Sequence, residues 1–168
     1  MIEKNEKLIH SLIQISRMAG DAILNVYNSS DTINIDYKSD KSPLTLADKN
    51  SHQVIEKALL ELTPDIPILS EEGKQSDFEV RKKWDIMWVV DPLDGTKEFI
   101  KRNGEFTVNI ALVEKGISTI GVVYAPKLNI LWYGSKSTGA VRIDDKNITK
   151  NIHVNKKGKN DLLNIVVS

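Results

Sequence analysis

The residue types best suited to chemistry lie in the segment D-P-L-D-G-T, residues 91–96. Asp91 and Asp94 are three positions apart, and the proline between them restricts the backbone and has no N–H group to donate. Gly95 allows the backbone to approach a ligand closely, and Thr96 adds a hydroxyl group. Carboxylates and a hydroxyl, followed by a helix start that can face an anion, predict a metal site that acts on phosphate groups.

A second acidic pair, Glu71 and Glu72, follows the short run 67–70, as the D-P-L-D-G-T segment follows the apolar run 86–90. Both runs have the composition of strands. If they are neighbouring strands, the acidic residues at their ends lie close together. Because successive side chains alternate across a strand, only one of the two glutamates should face this cluster, and we expect it to be Glu71.

The predicted ligands of Mg²⁺ are oxygen atoms, the kind of donor that this ion prefers. They are the carboxylates of Glu71, Asp91 and Asp94 and the carbonyl oxygen of Leu93. Two ions ~3.5–4 Å apart could share Asp91, which is a common arrangement for activating water and stabilising a leaving oxygen. In this interpretation Thr96 holds the attacking water.

Asp48 is the expected acceptor of the Thr96 proton, but it also has a structural interpretation. The sequence Thr45-Leu46-Ala47-Asp48 resembles a capping box at the start of a helix. A D-x-x-D pattern after a strand is likewise common as a turn and helix cap. The Gly-Thr pair that ends the pattern and the earlier Glu-Glu pair favour the metal interpretation over the turn. For Asp48, capping and catalysis both stay open.

Two amphipathic helices are predicted ahead of the acidic segments. The first follows from apolar residues spaced by three or four positions: Leu8, Leu12, Ile15, Ala19, Ala22 and Val26. The second begins after Thr45 and ends at Thr63, because the residue before a proline is disfavoured in a helix. A half-buried strand over 33–37 and a polar loop over 38–42 connect them.

Beyond residue 104 the sequence predicts an antiparallel meander of strands separated by turn-forming residues. The predicted strands cover 106–112, 117–124, 130–133, 140–143 and 148–154. The charged connection 74–83 is expected to be a surface loop or a short helix. The fold class that follows is α+β, layered, with two amino-terminal helices packed on a mainly antiparallel sheet.

Composition limits the classes of function. The 168 residues suit one domain, and 23 basic and 23 acidic side chains give zero net charge, which argues against binding a nucleic acid polymer. There is no cysteine, so thiolate nucleophiles are excluded. No signal peptide and no transmembrane run are recognised, so we expect a soluble cytoplasmic protein, with peripheral association with the inner membrane left open. The three histidines, one of them His52, lie apart and are expected at the surface or hydrogen-bonded.

The D-P-L-D-G-T segment, with the Glu-Glu pair at 71–72 and an isolated Asp48, resembles the magnesium-dependent, lithium-sensitive phosphatase superfamily that includes inositol monophosphatase and fructose-1,6-bisphosphatase. The continuation T-K-E-F at 96–99 and the run through Leu112 are similar to the bacterial 3'(2'),5'-bisphosphate nucleotidases of the CysQ type. Inositol monophosphatases typically have Asn-Phe where Glu98-Phe99 stand here.

The resemblance implies a substrate and a set of roles. The implied substrate is 3'-phosphoadenosine 5'-phosphate, a by-product of sulfate assimilation, cleaved to AMP and phosphate. By the same resemblance the four predicted ligands bind magnesium, and Thr96 with Asp48 orients the attacking water. The residues implied to surround the departing phosphate are Leu93, Asp94, Gly95 and Thr96, with Glu71 beside them.

One motif of the resembled family does not occur among these residues. That motif, W-D-x-A-A-G, lies in the family's second half and completes its second metal site, whereas Trp84-Asp85 lacks the small residues that follow. We therefore expect the chain, 1–168, to be a single amino-terminal metal-binding domain without its carboxy-terminal half. The last segment, 162–168, has strand composition, which suggests either an edge that pairs with another strand or a chain that ends before its partner half.

Three other functions remain open at this stage. An inositol or sugar phosphate could be the substrate of the same scaffold. Asp91 could act as a nucleophile, although D-x-D-G-T, the signature of aspartyl-phosphate enzymes, is one residue shorter than the spacing found here. The chain could also bind a metal or a partner without catalysing a reaction.

Overall fold

The computed structural model describes residues 2–29, 35–37, 43–74 and 76–154. Its helices are α1 (Ile2–Tyr27), α2 (Leu46–Leu62), α3 (Phe78–Arg81) and α4 (Thr96–Ile100). Its strands are β1 (Ile35–Tyr37), β2 (Pro43–Thr45), β3 (Ile68–Ser70), β4 (Ile86–Asp94), β5 (Thr107–Glu114), β6 (Ile117–Ala125), β7 (Ile130–Ser135), β8 (Gly139–Ile143) and β9 (Thr149–Ile152).

The main sheet contains seven strands in the order in which the chain forms them, from β3 to β9. Every neighbouring pair is antiparallel except β3 and β4, which run parallel. A parallel pair needs a crossover connection, and residues 71–85, which include α3, provide it. The short strands β1 and β2 form a separate antiparallel pair.

The core lies between one face of this sheet and the helices α1 and α2. Alternate residues of β5 and β6, such as Val108, Ile110 and Val122, are buried beneath the helices, as the period of two requires. Leu12 of α1 is completely buried in the same cluster, and burying a side chain of this size contributes about 1.5–3 kcal/mol. The α+β class and the packing of two amino-terminal helices on a mainly antiparallel sheet are thus confirmed.

Strand β4 and helix α2 are joined at the far end of the helix. The indole Nε1 of Trp88 donates a hydrogen bond of 2.9 Å to Thr63 Oγ1, and Thr63 is the C-cap residue of α2. Trp88 itself is fully buried. A tryptophan that packs in the core and also satisfies its N–H group fixes the end of the helix over the middle of the strand.

The prediction that the strand stops at Asp91 is wrong. Strand β4 continues to Asp94, which pairs with Thr107 of β5, and the register shifts between Asp91 and Asp94. The shift has a physical cause, because Pro92 has no N–H group to donate to the ladder. The acidic segment is therefore an irregular strand end and not a free loop.

The remaining elements agree with the sequence-based prediction to within a few residues, with one addition. Helix α2 begins after Thr45, the short helix α3 lies within the 74–83 connection, and the five strands after residue 104 are all present. Strand β2 was not predicted. The loop predicted at 38–42 and the final segment 162–168 lie outside the described residues.

Candidate active site

The parallel pairing of β3 and β4 brings Glu71 and Asp91 together. Ser70 is paired with Val90, and the Glu71 N–H group donates a hydrogen bond of 3.0 Å to the Val90 carbonyl oxygen. The next residue on each strand is acidic, and the side chains of Glu71 and Asp91 share a hydrogen bond. The expected convergence of the two strand ends, with Glu71 towards Asp91, is what the structure contains.

Asp91 is held in an environment that resists ionisation. Its pKa rises from 3.8 to about 7, first because the carboxyl group is partly buried, and then because Glu71 and Asp94 repel a further negative charge. The hydrogen bond with Glu71 raises the pKa further, whereas the Leu93 N–H group, 3.2 Å from Asp91 Oδ1, lowers it. A nearby cation would relieve this repulsion.

Asp94 lies at the edge of the cluster. It is exposed, and its Oδ2 atom accepts a hydrogen bond of 3.3 Å from Asn109 Nδ2. Over the described ranges, no three acidic or histidine side chains converge closely enough to form a metal cage. The donors nevertheless fit a hard cation, because two carboxyl groups in contact and a third nearby all offer oxygen ligands.

Asp48 forms the helix cap and also contacts Thr96, whereas its catalytic role stays a prediction. Its Oδ2 atom accepts from the Thr45 N–H group at 2.8 Å and from Thr45 Oγ1 at 2.6 Å, which completes the capping box of α2. Its Oδ1 atom accepts from Thr96 Oγ1 at 3.2 Å. With only 1% of its surface exposed, Asp48 is fixed by the cap and aligned on the predicted catalytic hydroxyl.

The turn that carries Thr96 depends on Gly95. This residue is the N-cap of α4 and has a φ of 94°, a backbone angle that residues other than glycine rarely adopt. A Cβ atom at this position would lie 2.7 Å from the Glu105 carbonyl oxygen. Thr96 Oγ1 also lies 3.4 Å from the Leu93 carbonyl oxygen. The Thr96 hydroxyl is therefore within one turn of Leu93 and Gly95, which are also predicted to contact the phosphate.

Two further contacts support the acidic segments, and sequence reasoning missed both. Ser51 Oγ donates a hydrogen bond of 2.7 Å to the Pro92 carbonyl oxygen. His52 Nδ1 lies 3.0 Å from Ser70 Oγ. The available signal was their spacing, since residues 51 and 52 are three and four positions after Asp48 and so share its side of the helix.

A groove of about 630 Å³ begins at the acidic pair and runs along the face of the sheet opposite α1 and α2, with Arg81 of α3 among its lining residues. Glu71 and Asp91 line one end, and the floor is formed by small or apolar residues such as Ala111, Gly121 and Val123. The charged end and the apolar floor provide space for a phosphate ester with an attached organic group.

The family model described as the inositol monophosphatase family matches residues 4–167. The chain belongs to this family. A 3'(2'),5'-bisphosphate nucleotidase CysQ from Salmonella typhimurium is 53% identical over 129 residues, which are 77% of this chain and 52% of that protein. The corresponding protein of Escherichia coli K12 is 48% identical over 147 residues, 88% of this chain and 58% of that protein. The resemblance inferred from the D-P-L-D-G-T segment is therefore confirmed at the level of the family.

A solved structure leads to the same family. The crystal structure of CysQ from Bacteroides thetaiotaomicron, described as a bacterial member of the inositol monophosphatase family, is 41% identical and superimposes with a TM-score of 0.71. The match covers 90% of this chain and 52% of that one. The chain thus spans about half the length of the family members it matches. None of the helices in the described ranges is long and apolar enough to cross a membrane.

Proposed function

We propose that the chain is the metal-binding part of a 3'(2'),5'-bisphosphate nucleotidase that removes the 3'-phosphate of 3'-phosphoadenosine 5'-phosphate, yielding AMP and phosphate. The observation that carries the proposal is the hydrogen-bonded pair of Glu71, which follows β3, and Asp91, the first residue of the D-P-L-D-G-T segment on the parallel strand β4. Relatives about half identical to this chain are named for that activity. A cytoplasmic location and a part in sulfur metabolism belong to the same proposal.

Mg²⁺ would be held by Glu71, Asp91, Asp94 and the carbonyl oxygen of Leu93. When bound, it would neutralise the acidic pair and supply Lewis acidity towards a phosphoryl oxygen and a water molecule. The raised pKa of Asp91 supports this assignment, since the carboxyl groups repel one another without a cation.

The protein's own part in the reaction is to orient the attacking water. Thr96 Oγ1 donates its proton to Asp48, so its lone pairs are directed outwards and can accept a hydrogen bond from water. The water oxygen forms the new bond to phosphorus as the ester bond breaks. The water gives up one proton in this step and the departing 3'-oxygen takes up one, so that the protons balance. Because the Thr45 contacts hold Asp48 in place, the Thr96 hydroxyl needs little reorganisation.

The proposal is tested by measuring phosphate release from 3'-phosphoadenosine 5'-phosphate with Mg²⁺, with and without lithium. We expect phosphate release that lithium inhibits, and Mn²⁺ binding that is detected by electron paramagnetic resonance. Asp91→Asn should abolish both. The matched control is Asp85→Asn, which neutralises an exposed aspartate just before the same strand and should leave both measurements unchanged.

Each contrary result identifies a different error. Faster hydrolysis of inositol 1-phosphate would assign the scaffold to another substrate. Trapping of a phosphorylated Asp91 would replace direct attack by water with a covalent mechanism. Metal binding without release of phosphate would make the 168-residue chain a binding domain.

A further inference from the structure

Successive polar side chains of α2 contact both strand ends of the acidic cluster. Besides Asp48, which holds the Thr96 hydroxyl, Ser51 contacts the end of β4 through Pro92 and His52 contacts the end of β3 through Ser70. Residues three and four positions apart share a face of a helix. One side of α2 therefore touches each segment that carries a predicted ligand or catalytic group.

The Ser51 contact lies where the strand pairing is irregular. The register of β4 against β5 shifts between Asp91 and Asp94, and Pro92 lies within this shift. Its carbonyl oxygen accepts the Ser51 hydroxyl at 2.7 Å, and Ser51 is completely buried. A buried carbonyl without a partner would be costly, so this hydrogen bond stabilises the irregular backbone between the two aspartates.

The His52 contact holds the residue that precedes Glu71. The His52 side chain is 14% exposed, and its Nε2 atom is 3.7 Å from Glu56 on the next turn. Gly73 closes the turn over the histidine, since its N–H group donates to the Ser70 carbonyl oxygen at 3.2 Å. A Cβ atom added at Gly73 would lie 3.4 Å from His52 Cε1, so the ring lies beside the turn with little spare room between them.

We propose that Ser51 and His52 are positioning residues that keep Glu71 and Asp91 adjacent although their charges repel one another. Ser51 acts through the Pro92 carbonyl group, and His52 acts through the Ser70 hydroxyl group. Residues that orient metal ligands without touching the metal commonly raise the affinity for the metal. The inference rests on the proposed function, because it assigns both residues to the metal site described there.

The test compares His52→Leu, which removes the hydrogen bond, with His52→Asn, whose amide can donate to or accept from the Ser70 hydroxyl. Ser70→Ala removes the same hydrogen bond from the other side. Ser51→Ala removes the hydrogen bond to the Pro92 carbonyl group and should weaken Mn²⁺ binding about tenfold, and an unchanged affinity would overturn the role of Ser51. Gln53→Leu, on the exposed side of α2, is the matched control. Two properties of the 168-residue chain are measured: the Mn²⁺ dissociation constant, and the amide hydrogen exchange of Glu71 and Gly73 without metal.

We expect His52→Leu and Ser70→Ala to weaken Mn²⁺ binding about tenfold and to speed exchange at both amides by a similar factor. His52→Asn and Gln53→Leu should stay within about twofold of the unmodified chain in both measurements. Rescue by asparagine separates positioning from a general effect on helix stability. Should His52→Leu fail to fold, Ser70→Ala carries the test.

The two proposals fail in different ways. Unchanged exchange and unchanged Mn²⁺ affinity in both His52→Leu and Ser70→Ala would overturn the positioning role and leave the metal site intact. If the unmodified chain bound no Mn²⁺ while exchange in the variants still accelerated, the metal site would be rejected and the positioning role of His52 retained.

Discussion

At the scale of single residues, the acidic cluster lowers the stability of the folded chain when Asp91 is ionised. Asp91 is partly buried beside two other carboxyl groups, and among the described residues no positively charged side chain contributes to its pKa shift. Burial and repulsion both disfavour the charged form of Asp91 in the folded chain. The unfolded chain has neither effect, so ionisation of Asp91 lowers the free energy of unfolding. Residues that bind a cation commonly destabilise the protein when the cation is absent.

The first prediction concerns the pH dependence of this cost. The pKa of Asp91 is about 7 in the folded chain and close to 3.8 when unfolded, so the stability it contributes is present below pH 4 and lost as pH rises towards 7. Without metal, Asp91→Asn should therefore stabilise the chain more at pH 8 than at pH 5. Allowing for solvent screening, we expect a difference of about 1 kcal/mol, or roughly 2–4 °C in Tm.

Thermal unfolding in a chelating buffer measures this effect. The exposed Asp85→Asn serves as the reference, because its effect on Tm should be the same at both pH values. An Asp91→Asn effect that is equally independent of pH would show that Asp91 ionises normally in the folded chain.

The second prediction separates the two functions of the Asp48 and Thr96 pair. Thr96→Val keeps the shape of the side chain and removes the hydroxyl group, so it should lower phosphate release by about 10²-fold or more. Mn²⁺ affinity should stay within about threefold, because the hydroxyl is not a predicted ligand. Thr96→Ser should retain most activity.

The cost of Thr96→Val in stability should be about 0.5–1.5 kcal/mol, the usual value for one hydrogen bond. Urea unfolding and initial rates measure the two effects on the same samples. Equal activity of the valine and serine variants would show that the Thr96 hydroxyl group does not orient the attacking water.

At the scale of elements, the short connection between β4 and α4 is constrained by both conformation and space. Gly95 has φ of 94°, and a side chain there would meet the Glu105 carbonyl oxygen. Gly116, in the turn between β5 and β6, also has positive φ, at 77°, but a Cβ atom added there would have no neighbouring atom within 4 Å. The two glycines therefore share a positive φ, but only Gly95 has a neighbouring atom that a side chain would meet.

The third prediction uses this pair as its own control. Gly116→Ala should cost about 1 kcal/mol, which is the conformational penalty alone. Gly95→Ala should cost at least about 2 kcal/mol more, since the backbone must also move away from Glu105, and it should weaken Mn²⁺ binding. Equal losses in urea unfolding would mean that the contact with Glu105 relaxes without cost.

At the scale of the whole molecule, helices α1 and α2 cover one face of the sheet, and the groove lies on the other. Adjacent residues of β6 illustrate the difference, since Val122 is 1% exposed beneath the helices whereas Val123 is 38% exposed in the groove. The acidic pair lies at one end of the uncovered face. The layers thus separate the part of the sheet that stabilises the fold from the part that is open to a ligand.

The fourth prediction tests this division. Val122→Thr places a hydroxyl group in the core and should cost about 1–3 kcal/mol. Val123→Thr makes the same change on the open face and should alter stability by less than about 0.5 kcal/mol. Comparable losses in urea unfolding would show that the second face is also covered.

Much of this architecture was predictable from the sequence, because it depends on local patterns. Apolar periodicity predicted α1, the Thr45 cap and Pro64 bounded α2, and alternation predicted the strands of the meander. The supporting roles of Ser51 and His52 were predictable only in part, because their spacing from Asp48 gives their side of α2 but not their partners. Their partners are 41 and 18 residues away, and a carbonyl and a hydroxyl group leave no periodic signal in the sequence. The metal and phosphate roles of the acidic residues stay predictions.

Helix α2 is joined to strand β4 by two contacts, between Ser51 in its second turn and Pro92 and between its C-cap residue Thr63 and Trp88. The helix therefore acts as a spacer of fixed length, and its tolerance to insertions follows from its geometry. One extra residue between the two contacts would add about 1.5 Å and rotate one end by about 100° relative to the other. Length variation among related proteins should consequently avoid this helix and fall in the surface turns.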